Sequence, residues 1–597
     1  MRKNLLKMIA IVIGLTTAAM GYAQDTVTVD QGLGTLETAI AANGGDVVYE
    51  LTAGAWYGLN SIVEVNDTTM KGAGKGLVII GEETDGLPAT IQVGVDGAGA
   101  IFPILFRTFN DLTLKNVFLT AQDFSGVAGP GILNIEGKAT VIIDNCVMDP
   151  CGVNRTIGGG VPANGSQLWL TNNLIMNNGH MQGPNDGGWL GGMVWDTLWV
   201  ENNTFVSSGQ DFISNTFHSV PNNNFIWVNH NTFLWHDVWI KKSYNDQNFY
   251  FTNNLMQDIS IYSQLYAWGQ FFPDYKQGNT MLSLLAIDTL ETDPNNGGGY
   301  EALPSQRNMF WEYNLQWNTP QLLTIPQLAQ DSGFTSVYCI PMMWDDDVPL
   351  SYTGGVEVVS PADSSRENRI IADKVNWPNM KYNNNWYDAL GDPQWNNPMI
   401  EQINDSMQIN ITSWWGNLIW GSSAYTFDGT PSYNYEVDKW AGTPNAEFPA
   451  VWPRFDGSYS NAAMQTASIE GLPLGDLNWF PAAKSRWTAE KDQIVAHTLA
   501  LNEDKYELVP ATGIQNVSSS ASFSIYPNPA KDVLHIASDS EMSSARVFDV
   551  SGRMVKEVNI GSALSTALDI SDLNNGVYIL ELKTVTGESN TSKILKN

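Results

Sequence analysis

The sequence predicts an all-β protein: a right-handed parallel β-helix with an N-terminal capping helix and large loop insertions, followed by a small C-terminal β-sandwich. Three observations predict it. One strand-like unit recurs through the first half of the chain, at Leu112-Thr113-Leu114, Val141-Ile142-Ile143, Leu168-Trp169-Leu170, Leu198-Trp199-Val200, Ile226-Trp227-Val228 and Phe249-Tyr250-Phe251. The spacings between units are 29, 27, 30, 28 and 23 residues, too short for propeller blades and without the 3.6 period of helical repeats. A coil of a parallel β-helix tolerates such variation, because loops between strands change length without disturbing the stack. The third observation is a separate group of short strand-like runs at the C-terminal end, behind a small polar stretch.

In chain order, Arg2, Lys3 and Lys7 precede the apolar run Met8 to Ala19, and Gly21-Tyr22-Ala23 supplies small residues for cleavage after Ala23. Residues 1–23 therefore read as a signal peptide, the apolar run being well short of the roughly 20 residues that span a bilayer. No other uncharged stretch is long enough to cross, so the mature chain is expected to lack a transmembrane segment.

Residues 24–290 form the expected β-helix. Leu36 to Ala42 reads as a short amphipathic helix stopped by Gly44-Gly45, which would cover the open end of the stack, and Val47 to Leu51 as the first full strand. Asn116, Asn145, Asn172, Asn202 and Asn253 close successive units and are expected to stack at one corner as an amide ladder, with His230 interrupting it. Residues 291–510 are loop-rich and read either as a continuation of the β-helix or as a cover folded over it. Two similar phrases mark this segment, Gly391-Asp392-Pro393-Gln394-Trp395 and Gly475-Asp476-Leu477-Asn478-Trp479. Residues 511–522 read as a linker and residues 523–597 as the small β-sandwich.

Composition narrows the function. With 62 acidic against 30 basic residues the net charge is −32, and removal of the leader's three bases takes it to −35, which disfavours nucleic-acid partners. Three cysteines cannot make a disulfide framework; Cys146 and Cys151 are either paired in an oxidising exterior or free buried thiols.

The second position of the repeats carries Thr113 and Ile142 and then an aromatic column, Trp169, Trp199, Trp227 and Tyr250. Strand alternation points these rings out of the coil, at the roughly 4.8 Å repeat of stacked strands. Exposed, they would make a carbohydrate platform; covered by the 291–510 segment, they would make a second core. For chemistry, His218, His236 and Lys241 are the candidate bases of a lyase. Asp186, Asp196, Asp211 and Glu201 are the carboxylates a hydrolase could draw on. Against a polyanionic substrate, no Lys or Arg occurs between Arg155 and Lys241. Calcium on acidic loops such as Asp345, Asp346 and Asp347 is the alternative cation, and no other cofactor is implied.

Two family resemblances sharpen these expectations. The order Tyr526-Pro527-Asn528-Pro529, Phe548-Asp549-Val550-Ser551-Gly552-Arg553, Leu573-Asn574-Asn575-Gly576-Val577-Tyr578 and Lys593-Ile594-Leu595-Lys596 resembles the type A C-terminal sorting domain of the type IX secretion system of Bacteroidota. The resemblance implies export to the medium or the outer cell surface, with the secretion machinery as partner. The coil pattern of roughly residues 30–290 resembles secreted right-handed β-helix proteins of the pectate-lyase-like superfamily. It implies a monomer that binds an extracellular polysaccharide, either degrading it as a polysaccharide lyase or glycoside hydrolase, or acting as a non-catalytic adhesin.

Overall fold

The computed structural model describes residues 25–123 apart from 46, 131–148, 156–178, 190–259 with short breaks, 285–286, 308–319 apart from 318, 379–382, 390–400 apart from 398–399, 455–501, and 523–596 with short breaks. The chain divides into two units, residues 1–508 and 509–597. Among the described residues the first unit is built on three parallel sheets of 11, 10 and 8 strands. The chain visits them in turn, one strand of each per coil.

The first sheet runs from Asp25–Thr28 through the recurring units to Asn308–Glu312 and Asn379–Tyr382. Its register is the one the repeat spacing implies: Leu112, Val141, Leu168, Leu198, Ile226 and Phe249 are cross-strand partners in succession. These residues and those two positions on are all fully buried in the main core, because alternation sends every second side chain inward. The strands after residue 290 show that the coils continue into the loop-rich segment, while residues 455–501 lie over them.

Helix α1 (Thr35–Asn43) takes the place of a third-sheet strand in the first coil and sends Leu36 and Ile40 into the core. It ends at Gly44, whose φ is 78° and where a Cβ would stand 2.8 Å from the Met70 carbonyl oxygen.

The corner asparagines form one rung of the expected ladder, Asn145 Nδ2 to Asn116 Oδ1 at 2.9 Å, while Asn172 and Asn253 donate to Asp144 and Asn229 instead. Asn116, Asn145, Asn172, Asn202, His230 and Asn253 all adopt left-handed backbone, φ 52 to 61°, where the chain turns from the first sheet to the second. Asn tolerates this conformation through short-range hydrogen bonding. The continuous ladder is formed one residue later, by Asn173, Asn203, Asn231, Asn254 and Asn314. The first four donate Nδ2 at 2.9 to 3.0 Å to the next coil's Oδ1, which also accepts the backbone N–H of the same asparagine, and Asn314 Nδ2 donates to the Phe251 carbonyl. His230 therefore does not interrupt it. The ladder satisfies amides sealed in the core, where an orphan would cost about 1–3 kcal/mol.

The second unit is antiparallel. Phe523–Tyr526, Val533–Asp549, Met554–Asp569, Gly576–Thr584 and Ser589–Lys596 form a five-stranded sheet around its own core, including Leu534, Val547, Leu580 and Ile594. Val533–Asp549 is one long strand with register shifts between Ala537 and Ser544. Those shifts let it pair with three partners.

Candidate functional site

The outward ring column exists and is covered. Trp169–Trp199, Trp199–Trp227, Trp227–Tyr250 and Tyr250–Phe310 follow at centroid distances of 5.2, 4.9, 5.6 and 6.0 Å. Helix α2 (Pro481–Leu501) and the preceding Ile469 close over them with Val495, Leu499 and Leu501. Trp169, Trp199, Trp227 and Tyr250 are left 8, 0, 0 and 5% exposed. The carbohydrate-platform reading of these four residues gives way to the second-core reading, for the physical reason that a stack of bare indoles is a large apolar surface.

Glu201 is sealed beneath the same helix. Its carboxylate accepts from Trp199 Nε1 at 2.9 Å, Trp227 Nε1 at 3.1 Å and Asn229 Nδ2 at 2.9 Å, and pairs with Lys491 Nζ at 3.1 Å. Burial alone would raise this carboxyl, but the Lys491 charge and the three donors hold it below the usual range. A fully buried, fully bonded carboxylate is a structural latch and not a hydrolase's acid.

The two Gly-Asp-x-x-Trp phrases prove to be one device used twice. Gly391 and Gly475 have φ of 68 and 78°. Asp392 and Asp476 accept the backbone N–H two residues on, at 2.8 and 2.9 Å. Trp395 and Trp479 each donate the indole N–H, at 2.7 Å, to the outer face of the second sheet, at Gln257 Oε1 and Thr204 Oγ1. Gly475 lies so close to the sheet that a Cβ would stand 2.5 Å from Thr232 Oγ1.

Between the second clasp and the corner asparagines lies an open pocket of about 330 Å³. Its walls are Asn116, Asn145, Asn172 and Asn173 from successive coils, the 82–88 loop with Glu82 and Asp85, and Phe455, Asp476, Asn478 and Trp479 from the cover. No Lys, Arg or His lines it among the described residues. Just behind the wall, Lys484 Nζ donates to Asn172 Oδ1, and Asn172 Nδ2 donates to Asp144 Oδ1 at 2.7 Å. Burial pushes Lys484 down to about 8, with Asp476 and Glu201 pulling the other way. Burial lifts Asp476 to about 7, yet both its oxygens are occupied, by Asn478 N–H and by the Thr204 hydroxyl at 2.8 Å. His230, buried at the corner with Nδ1 3.2 Å from the Gly475 carbonyl, is pushed down to about 4 by burial and is neutral. Asp144 would be raised by burial, but Lys115 at 3.0 Å and the Thr171 and Asn172 donors hold it low.

The remaining candidates are scattered. His218, Asp186, Asp211 and Asp345 to Asp347 lie outside the described residues, as do Cys151 and Pro527 to Pro529. His236 pairs in register with Ser208 and Ile259 in the second sheet. Lys241 follows Ile213 in the third sheet, at the register position held in earlier coils by buried Phe106, Leu133, Ile157 and Leu190. Asp196 accepts from Gln167 and Asn224. Among the described residues no group of three His, Cys, Asp or Glu side chains is placed to hold a metal ion. Cys146 is a free buried thiol, pushed up to about 12 by burial. Tyr526 is exposed and stacks on His535 at 5.5 Å. The pocket residues were missed from sequence because their signal, the corner asparagines and the second Gly-Asp-x-x-Trp phrase, lies some 300 residues apart in the chain.

The class this architecture defines is a parallel β-helix body carrying an antiparallel export unit. Residues 524–597 match the model of the secretion system C-terminal sorting domain. The protein is accordingly one exported to the cell surface or the extracellular space, and among the described residues no helix is long and apolar enough to cross a membrane. The chain is also 38% identical over 71 residues to "Beta-agarase D" of Zobellia galactanivorans, a match covering 12% of this chain and 14% of that enzyme. Among solved structures, the PL6 family alginate lyase AlyGC is similar at 18% identity and a TM-score of 0.23, over 39% of this chain and 36% of the lyase. The chain thus spans about a seventh of the length of the curated relative and about a third of the lyase.

Proposed function

We propose that this secreted β-helix protein binds an extracellular polysaccharide in the asparagine-lined pocket. If chain cleavage accompanies binding it acts as a polysaccharide lyase or glycoside hydrolase; if not, it is a surface adhesin. The observation that carries the reading is the pocket's make-up: amide and carboxylate oxygens set around Phe455 and Trp479, at the lower end of the volume range of small-ligand sites, roughly 300–1,000 Å³. Polar groups that fix orientation beside aromatic faces suit a sugar ring, with its hydroxyl edge and apolar C–H face.

The adhesin alternative has a specific observation in its favour. His230, Asp258 and Asp476, three ionisable groups that burial displaces far from their ordinary values, are already hydrogen-bonded within the protein. A general acid or base must instead reach a substrate proton. The test is a panel of soluble polysaccharides with the full-length secreted protein, reading retention and new chain ends in the same samples. Absorbance of an unsaturated product marks a lyase, reducing ends without it a hydrolase, and retention alone an adhesin. No retention and no cleavage across the panel refutes the proposal.

A further inference from the structure

The pocket's hydrogen-bonding groups are not equally available to a ligand. The side-chain donors of Asn172, Asn173 and Trp479 are committed to Asp144, to Ile143 O with Asn203, and to Thr204. Asn478 Nδ2 donates to the Asn202 carbonyl at 2.8 Å. Asn145 Nδ2 donates to Asn116 Oδ1 at 2.9 Å, and Asn116 Nδ2 in turn to the Gly81 carbonyl at 3.2 Å. Because a carbonyl can only accept, these last contacts fix the orientation of each amide. They turn Oδ1 of Asn145 and of Asn478, neither of which has a partner among the described residues, into spare acceptors. Glu82, bonded through Oε2 to Ala53 N–H, and Asp85 add exposed carboxylates at the rim. Among the described lining side chains the Thr84 hydroxyl is the uncommitted oxygen donor, and it already accepts from Gly86 N–H.

A site in which the protein has used its own donors and left its acceptors bare discriminates by ligand chemistry. Ligand hydroxyls can donate to it. A carboxylate or sulfate would bring further acceptors and a like charge, with no cation among the described wall residues to meet it. We infer that the pocket selects a hydroxyl-rich, uncharged glycan and rejects polyuronates and sulfated chains. This rests on the polysaccharide reading above and names the substrate class for that site. The chain's net charge of −32 works in the same direction at longer range.

The experiment compares full-length protein, by affinity electrophoresis at fixed ionic strength, on neutral glucans, galactans and mannans and on polygalacturonate beside its carboxyl-reduced form. Glu82→Lys and Asp85→Lys are the variants. Both residues are exposed, so neither change disturbs the core. At least one neutral polymer should be retained. Both variants should weaken that retention about tenfold or more, and polygalacturonate should bind about tenfold or more weakly than its reduced form or any retained neutral polymer. The inference is overturned if an anionic polymer binds as tightly as the best neutral one. It is equally overturned if neutral binding is unchanged in both variants, since the pocket would then not be the site. Absence of binding by every polymer, charged or not, refutes the polysaccharide reading itself.

Discussion

Replacing Lys491 by Met tests the account of how the cover is held. In the native protein the Glu201 carboxylate is completely buried and Lys491, at 3.1 Å, is the cation paired with it. The ammonium also lies 5.6 Å from the Trp199 ring and 4.6 Å from that of Trp487, and Met preserves most of this packing volume. What the change removes is the charge, leaving a carboxylate in the low-dielectric space under helix α2, which should cost about 3–5 kcal/mol. Intrinsic fluorescence in a denaturant series reads this without interference from the tail, because the last tryptophan in the chain is Trp487.

The pH dependence gives a second, signed readout. In the native protein the Glu201 pKa lies below its unfolded value, so its contribution is present above the unfolded pKa and lost as pH falls through the folded one. Without Lys491 burial dominates and the folded pKa rises above the unfolded value. The contribution is then present in acid and lost as pH rises through the folded pKa, and the gap between variant and native protein narrows on acidification. Glu201→Gln in the Lys491→Met background should recover part of the loss, since it removes the buried charge and its one oxygen can keep the Trp227 and Asn229 donors, while its NH2 group leaves the Trp199 N–H without an acceptor. A deficit below about 1 kcal/mol, or one that widens in acid, would refute the latch.

Two further outcomes follow. His230 is held near 4 against its ordinary 6.5, so the native fold should lose roughly 3 kcal/mol as pH falls from 6.5 to 4, the unfolded chain binding a proton the folded one refuses. His230→Asn, the residue most other coils carry at that corner, should remove this acid slope in urea melts at paired pH values. Deleting residues 524–597 should leave the body folded, with its own core and unchanged tryptophan emission, while the protein fails to reach the medium or cell surface in fractionation of the producing cells.

Much of the fold was legible because its signals are local. Alternating apolar residues at Leu112, Val141, Leu168, Leu198, Ile226 and Phe249 named the inward face and its register directly, since a one-residue slip would turn the whole set outward. The left-handed corner was visible as recurring Asn. Its exact use was not: the residue that adopts the turn and the residue that forms the ladder are adjacent asparagines, and only backbone geometry separates Asn202 from Asn203.

The site was much less legible. Trp199 and Trp227 carry the same outward address whether solvent, a glycan or helix α2 lies above them, and Glu201 reads as an ordinary strand-end acid. What decided their role is a segment some 290 residues further on, brought back over the sheet by Gly475, Trp479 and Lys491. By itself the sequence determined the β-helix, its coil register, the capping helix and the export tail, because periodicity and short motifs are properties of neighbours in the chain. Only the tertiary structure decided that the aromatic column is core and that the acceptor-rich pocket beside it is open. Burial and the commitment of each donor depend on which distant residues come to lie on top.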